Sequence, residues 1–330
     1  MTEGNLVELK SVSKLFASRA SFFSHRITHA VSDVTIAIKS AETLALVGES
    51  GSGKSTTGRL ALGLLKPSTG CVEFQGTDLA SLNQRRLRAA RRDMQMIFQD
   101  PTAALNPKLT IGQQIEEVIL VHGLAATRAD RRRLATEALE AVGLGGHAFA
   151  ARLPGELSGG QRQRVVIARA LTLNPKFIVC DEPVSALDVS IQGQIVNLLV
   201  DLQRRYKLSY LFISHDLRVV RHISDRVVVM YLGRIVEIAP TERFFHAPSH
   251  PYSLDLLRAV PSLIVTSGES TAIATAPTGP ATDLQGCAYR SRCRAALASC
   301  AHSVPQLKTI ANGHMVACHH VGSEPPRDRQ

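Results

Sequence analysis

The sequence contains no tryptophan, and aromatic residues make up only 5% of its 330 residues. A surface that stacks successive nucleobases needs a series of exposed rings, so the composition speaks against a base-stacking platform. No apolar run approaches the ~20 residues that cross a bilayer, and the opening "MTEGNLVELK" lacks the apolar core of a secretory signal. The chain is therefore expected to stay in the cytosol. Paired C-x2-C knuckles are missing although six cysteines are present, and no internal repeat is found.

What is present describes an ordinary globular protein: 45% hydrophobic and 20% charged residues in a length that suits a large α/β domain with an appendage, or two domains. The net charge is +10, with basic runs at "RRLRAARR" (85–92) and "RADRRR" (128–133). Such runs are read as solvated helix faces, with contacts to nucleic acid or anionic lipid as the other reading.

Glycine is concentrated in "LVGESGSGKSTTG" (46–58), between an apolar, β-branched run and a stretch of helical spacing. The pattern G-x-x-x-x-G-K-[ST] runs through Gly48, Gly53, Lys54 and Ser55. At ordinary glycine usage a chance match in a chain this long occurs about once in a hundred sequences. Strand before and helix after are the setting in which loop N–H groups and the positive helix end surround a polyphosphate. Lys54 would reach the β- and γ-phosphates and Ser55 would ligate Mg²⁺.

Short apolar runs at "LALVG", "MQMIFQ", "FIVCDE", "YLFISHD" and "RVVVMYLG" alternate with helical patterns to about residue 240, as in a mainly parallel sheet covered on both faces. From about 101 to 156 the periodicity is helical throughout, which predicts a helical insertion. "FIVCDE" offers Asp181 for the metal and Glu182 to polarise an attacking water; "YLFISHD" ends in His215, and "MIFQD" supplies Gln99 where the insertion begins. In "LSGGQRQRVVIARAL" (157–171), Ser158 is placed as the N-cap of an amphipathic helix.

These motifs, in this order, resemble the ATPase subunit of an ABC transporter over nearly the whole chain. The resemblance implies a P-loop NTPase (RecA-like) ABC ATPase core of α/β class over 1–261, with a mainly parallel sheet, an antiparallel β subdomain and a helical subdomain at about 101–156. It implies a Walker A loop of Gly48, Glu49, Ser50, Gly51, Ser52, Gly53, Lys54, Ser55 and Thr56. Phe16 is similar to the aromatic that stacks on adenine, and Gln99 to the Q-loop residue that joins Ser55 and Asp181 at Mg²⁺. Asp181 and Glu182 correspond to Walker B and the catalytic glutamate, and His215 to the switch histidine. Leu157, Ser158, Gly159, Gly160 and Gln161 correspond to the signature that faces a partner's ATP; Ser185, Ala186, Leu187 and Asp188 correspond to the D-loop. The implied assembly has ATP sandwiched between two ATPase subunits, two membrane permease subunits in the membrane, and a solute-binding protein acting indirectly. "FQDPTAALNPKLTIG", "SALDVSIQGQIVNLL", "HAPSHPYSLDLLRAVP" and the tail "GCAYRSRC…C…ACH" narrow the resemblance to oligopeptide, dipeptide and nickel importers, and to the second of their two non-identical ATPase subunits. The place implied is the cytoplasmic face of the inner membrane, as a peripheral subunit.

The region 262–330 reads as a Thr-, Ala- and Pro-rich linker that sets a Cys-rich extension apart from the catalytic residues. The tail spacing C-x5-C-x6-C-x17-C, over Cys287, Cys293, Cys300 and Cys318, differs from common zinc knuckles. Four thiolates can hold an iron–sulfur cluster, and the resemblance implies a 4Fe–4S centre; zinc and free thiols are the alternatives. A soluble ABC-type ATPase acting on nucleic acid or ribosomes is the other functional class. The positive charge favours it, whereas the single cassette and the lack of both a coiled-coil insertion and an aromatic platform oppose it.

Overall fold

In the computed structural model, residues 4–21, 24–260 and 285–320 are described, and the "TSGESTAIATAPTGPATD" stretch read as a linker lies outside them. Two long strands, β1 (Val7–Ser21) and β2 (Ser24–Ile38), precede β3 (Thr43–Val47), helix α1 (Lys54–Ala61) and the hairpin strands β4 (Thr69–Phe74) and β5 (Thr77–Asp78). Next come α2 (Gln84–Arg92), β6 (Met94–Ile97), α3 (Pro101–Ala104), α4 (Ile111–Val121), α5 (Arg128–Ala141), α6 (Gly146–Ala150) and α7 (Gly159–Leu171). They are followed by β7 (Phe177–Asp181), α8 (Val189–Tyr206), β8 (Ser209–Ile213), α9 (Leu217–Ile223), β9 (Arg226–Tyr231) and β10 (Arg234–Pro240). The last elements are α10 (Thr241–His246), α11 (Pro251–Arg258), β11 (Lys308–Ala311) and β12 (His314–Val316).

The chain forms two compact units. Among the described residues, one comprises 4–6, 38–42 and 81–213, and the other comprises 7–21, 24–37, 43–80, 214–260 and 285–320. In the first, β6, β7 and β8 pair in parallel, with Ile97 opposite Cys180 and Asp181 opposite Ile213. Every residue of β7 and β8 is buried, as expected of apolar strands covered on both faces. The stretch read as helical carries α3 to α6. Helix α4 starts at a capping box in which Thr110 accepts from the Gln113 N–H while the Gln113 side chain accepts from the Thr110 N–H. Helix α5 starts at Thr127, whose side chain accepts from the Asp130 N–H. No residue of α2 is buried, and its Arg85, Arg86, Arg88 and Arg92 are exposed.

In the second unit β3 pairs in parallel with β9, and β9, β10, β12 and β11 follow in antiparallel order. A separate sheet has the order β2-β1-β4-β5. The Cys-rich tail is not set apart from this unit, contrary to the reading of the linker. Its β11–β12 hairpin extends the sheet at β10, and His314 of β12 shares a fully buried 2.7 Å contact with Glu237 of β10. An apolar cluster of Val229, Tyr231, Val236, Phe244, Tyr252, Leu257 and Tyr289 joins β9, β10, α10, α11 and the tail. Each such fully buried large side chain contributes about 1.5–3 kcal/mol. No helix among the described residues is long and apolar enough to cross a membrane.

Candidate active site

The phosphate loop follows directly from β3. Gly48 has φ 150° and Gly53 has φ 104°; a Cβ on the first would lie 2.1 Å from the Met230 carbonyl oxygen and on the second 2.3 Å from that of Ala30. Only glycine fits either position, because the loop is pressed against backbone of β9 and β2. Outside the loop, the Gly233 N–H donates to the Ser52 carbonyl at 2.9 Å. Lys54 opens α1 and is buried, and its Nζ donates to the carbonyls of Gly48 at 2.7 Å and Glu49 at 2.8 Å. The ammonium is thus held over the loop by two backbone acceptors. Ser55 and Thr56 occupy the first turn of α1, where backbone N–H groups lack helical partners and favour an anion.

His215 lies two residues past β8 and is exposed; the preceding Ser214 N–H donates to the Leu46 carbonyl of β3 at 3.3 Å, which fixes the chain beside the strand that carries the phosphate loop. Phe16 is on β1, 40% exposed, with the Lys14 ammonium 5.4 Å from its ring centre.

In the other unit, Asp181 ends β7 and is buried, and Glu182 follows with φ 48°. That left-handed backbone is strained for a glutamate. It is held by the Glu182 N–H donating to the Ile213 carbonyl at 3.0 Å and by the Ser185 Oγ donating to the Glu182 carbonyl at 3.1 Å. Gln99, just past β6, donates from Nε2 to Glu182 Oε2 at 3.0 Å. Two residues from separate motifs therefore share one contact.

Ser158 is the N-cap of α7. Its side chain accepts from the Gln161 N–H, and the Gln161 side chain accepts from the Ser158 N–H. The capping expected of Ser158 is therefore present. Both glycines pack against the D-loop and the helix after it: a Cβ on Gly159 would lie 3.2 Å from Leu187 Cδ2, and one on Gly160 2.6 Å from Ile191 Cγ2. The D-loop continues through Ser185 and Ala186 to Asp188, which precedes α8, and the Gln192 Nε2 holds it by donating to the Val184 and Leu187 carbonyls.

Some residues around the phosphate loop escaped the sequence reading. The Glu49 N–H donates to the Tyr252 hydroxyl at 2.8 Å, and its carboxylate accepts two-pronged hydrogen bonds at 3.0 Å from Arg292 of the tail. Both residues lie inside strings quoted above, "HPYSLDLLRAVP" and "GCAYRSRC", but there they stood for likeness and for cysteines. No sequence signal marked them: Tyr231, Tyr252 and Tyr289, three of the five tyrosines in the sequence, converge here only in the fold.

The four tail thiols are free. Burial pushes Cys287, Cys293 and Cys318 up, and neighbouring thiols add to the effect. Among the described residues no three His, Cys, Asp or Glu side chains come together as a group able to hold a metal. The donor arrangement does not fit an iron–sulfur centre, so the cluster expectation is not supported.

Residues 31–185 match the family described as "ABC transporter", and residues 236–300 match the "Oligopeptide/dipeptide transporter, C-terminal region". The oligopeptide transport ATP-binding protein AppF of Bacillus subtilis (strain 168) is 45% identical, with 97% of this chain and 99% of the relative covered. A putative peptide import ATP-binding protein of Brucella ovis is 47% identical, with 96% and 98% covered. The dimeric ATP-binding cassette MJ0796, solved in a post-hydrolysis state with ADP and Pi, aligns with a TM-score of 0.63 at 33% identity, covering 71% of this chain and 98% of that one. The two family matches, and relatives alike over nearly the whole of both chains, make this chain an ATPase of the ABC transporter family, of the oligopeptide/dipeptide type.

Proposed function

We propose that this chain powers the import of di- or oligopeptides, as the ATP-hydrolysing subunit of a complex with a second, non-identical ATPase subunit, two permease subunits and a solute-binding protein. The observation that carries the peptide reading is the C-terminal match over 236–300 in a chain 45% identical to an oligopeptide transport ATP-binding protein. The same reading places it as a peripheral subunit on the cytoplasmic face of the membrane.

Lys54 turns from the loop carbonyls to the β- and γ-phosphates, and the N–H groups at the start of α1 hold the rest of the triphosphate. Phe16 stacks on the adenine. Ser55 in one unit, and Asp181 and Gln99 in the other, each carry an oxygen of the kind Mg²⁺ takes: hydroxyl, carboxylate and amide. Mg²⁺, when bound there, neutralises phosphate charge. Gln99 gives its N–H to Glu182, which leaves the amide oxygen as its donor toward the metal. Glu182 orients and polarises the attacking water, and His215 hydrogen-bonds the γ-phosphate. Residues 157–161 and 185–188 serve the opposite subunit's nucleotide, so closure of the two heads assembles each site and hydrolysis reopens it.

The test is uptake of a labelled dipeptide and a labelled oligopeptide by vesicles carrying the complex isolated by a tag on this chain. Uptake that needs ATP and stops with Glu182→Gln supports the reading. A complex that hydrolyses ATP and moves neither peptide, but moves another solute, overturns the peptide assignment.

A further inference from the structure

Glu49 is the only acidic residue in the phosphate loop Gly48–Thr56. A carboxylate there is electrostatically opposed to a triphosphate unless another group answers it. The structure supplies that group from 243 residues away in sequence: both terminal nitrogens of Arg292 donate to the carboxylate at 3.0 Å. The Arg292 side chain is only 7% exposed and that of Glu49 30%. Burial works against the charge on Arg292, but the neighbouring Tyr231 and the carboxylate of Glu49 outweigh it and raise its pKa. The guanidinium is flanked by the rings of Tyr289 and Tyr231, whose centres lie 5.5 and 5.9 Å away. Tyr289 in turn donates its hydroxyl to Asp255 of α11, and Tyr252 of the same helix accepts from the Glu49 N–H.

Three parts of Glu49 are therefore fixed at once. Its carboxylate is paired with Arg292, its N–H with Tyr252, and its carbonyl accepts from Lys54. We propose that Arg292 of the C-terminal region is a positioning residue for ATP binding, one that neutralises Glu49 and so lets the phosphate loop accept the triphosphate. On this view the C-terminal region sets nucleotide affinity directly. The inference rests on the ATPase reading of the loop and adds a residue that none of the nucleotide motifs contains.

The geometry separates this role from simple propping of the tail. If Arg292 acts by neutralising Glu49, the damage done by removing it disappears when Glu49 loses its own charge. If it merely packs the tail, removing the Glu49 charge repairs nothing.

The experiment measures ATP hydrolysis by the assembled complex, and ATP binding by the full chain, for Arg292→Ala, Glu49→Gln, the double variant and Arg292→Lys. Arg292→Ala should raise the KM for ATP about tenfold, the scale of an unanswered charge beside a polyanion. Its kcat at saturating ATP should stay within about twofold, because lost ground-state and transition-state binding are equal. The double variant should return KM to within about threefold of wild type, and Arg292→Lys, which keeps the charge, should stay near wild type. Should Arg292→Ala not fold, Arg292→Gln retains hydrogen-bonding groups without the charge and gives the same reading. An Arg292→Ala protein with wild-type KM overturns the proposal, and so does a double variant that binds as weakly as the single one. Lys54→Ala keeps the two questions apart, because undiminished hydrolysis by that variant would overturn the ATPase reading itself, whatever Arg292 does.

Discussion

Gln99 Nε2 and Glu182 Oε2 are 3.0 Å apart, joining the residues that follow two adjacent parallel strands. Glu182 sits on a strained left-handed backbone, so its side chain depends on neighbours for its aim. Gln99→Ala removes one of these holders without touching the phosphate loop. We expect kcat to fall about tenfold and the KM for ATP to rise by less, since Gln99 holds Glu182 for the chemical step and also gives one of the proposed oxygens to the metal. Steady-state phosphate release over a range of ATP concentrations separates the two parameters. A large rise in KM with kcat unchanged would show that Gln99 serves binding instead.

The signature offers a sharper separation. Ser158 caps α7 through a hydrogen bond within its own chain, and an arginine there would project into any phosphate held at that helix start. Ser158→Arg is expected to stop hydrolysis by the assembled complex while the single chain binds ATP with wild-type affinity. The helix loses about 1 kcal/mol with its cap, which a thermal melt reads separately. Collapse of nucleotide affinity in the isolated chain would mean that the signature acts on its own phosphate loop.

Acid sensitivity is built into the junction between β10, α11 and the tail. Burial holds the imidazole of His250 down to about 4, from an ordinary 6.5. The folded protein keeps it neutral while the unfolded chain takes up a proton below about pH 6.5, so the stability from this group is complete above that pH. It is lost as pH falls toward 4, by about 3 kcal/mol in all. Glu237 acts in the same direction: burial opposes its charge, but the contact with His314 and hydrogen bonds from the backbone N–H groups of His250 and Ser249 outweigh that and lower its pKa below the usual 4.5. Its contribution declines below that value. His250→Asn keeps a side chain able to cap α11 and removes the titration, so denaturant midpoints measured from pH 7 to 4 should lose much of their slope. An unchanged slope would place the acid sensitivity elsewhere.

The nucleotide residues were legible in the sequence because their constraints are local. Gly48 and Gly53 are glycine because a Cβ would strike backbone, and Ser158 and Gln161 spell out a capping box within four residues. Strands β7 and β8, buried throughout, read as unbroken apolar runs ending at Asp181 and close to His215. The tail was not legible in the same way. Its "ANGH" turn, lying between β11 and β12, is an ordinary hairpin signal, yet four cysteines drew the reading toward a metal. The pairing of Arg292 with Glu49, and of His314 with Glu237, spans 243 and 77 residues. Such contacts depend on sheet order, which no local pattern encodes.

The role given to Glu182 is the most direct point of test, because hydrolysis and the reopening that follows it both depend on this residue. Glu182→Gln retains Asp181, Ser55 and Lys54 for the nucleotide, so labelled ATP should still bind and should co-elute unhydrolysed with a closed pair of ATPase subunits on size exclusion. Phosphate release should fall by about a hundredfold or more, as expected when the group that polarises the attacking water is lost. Wild-type phosphate release by Glu182→Gln would contradict the assignment of the catalytic glutamate and, with it, the proposed cycle.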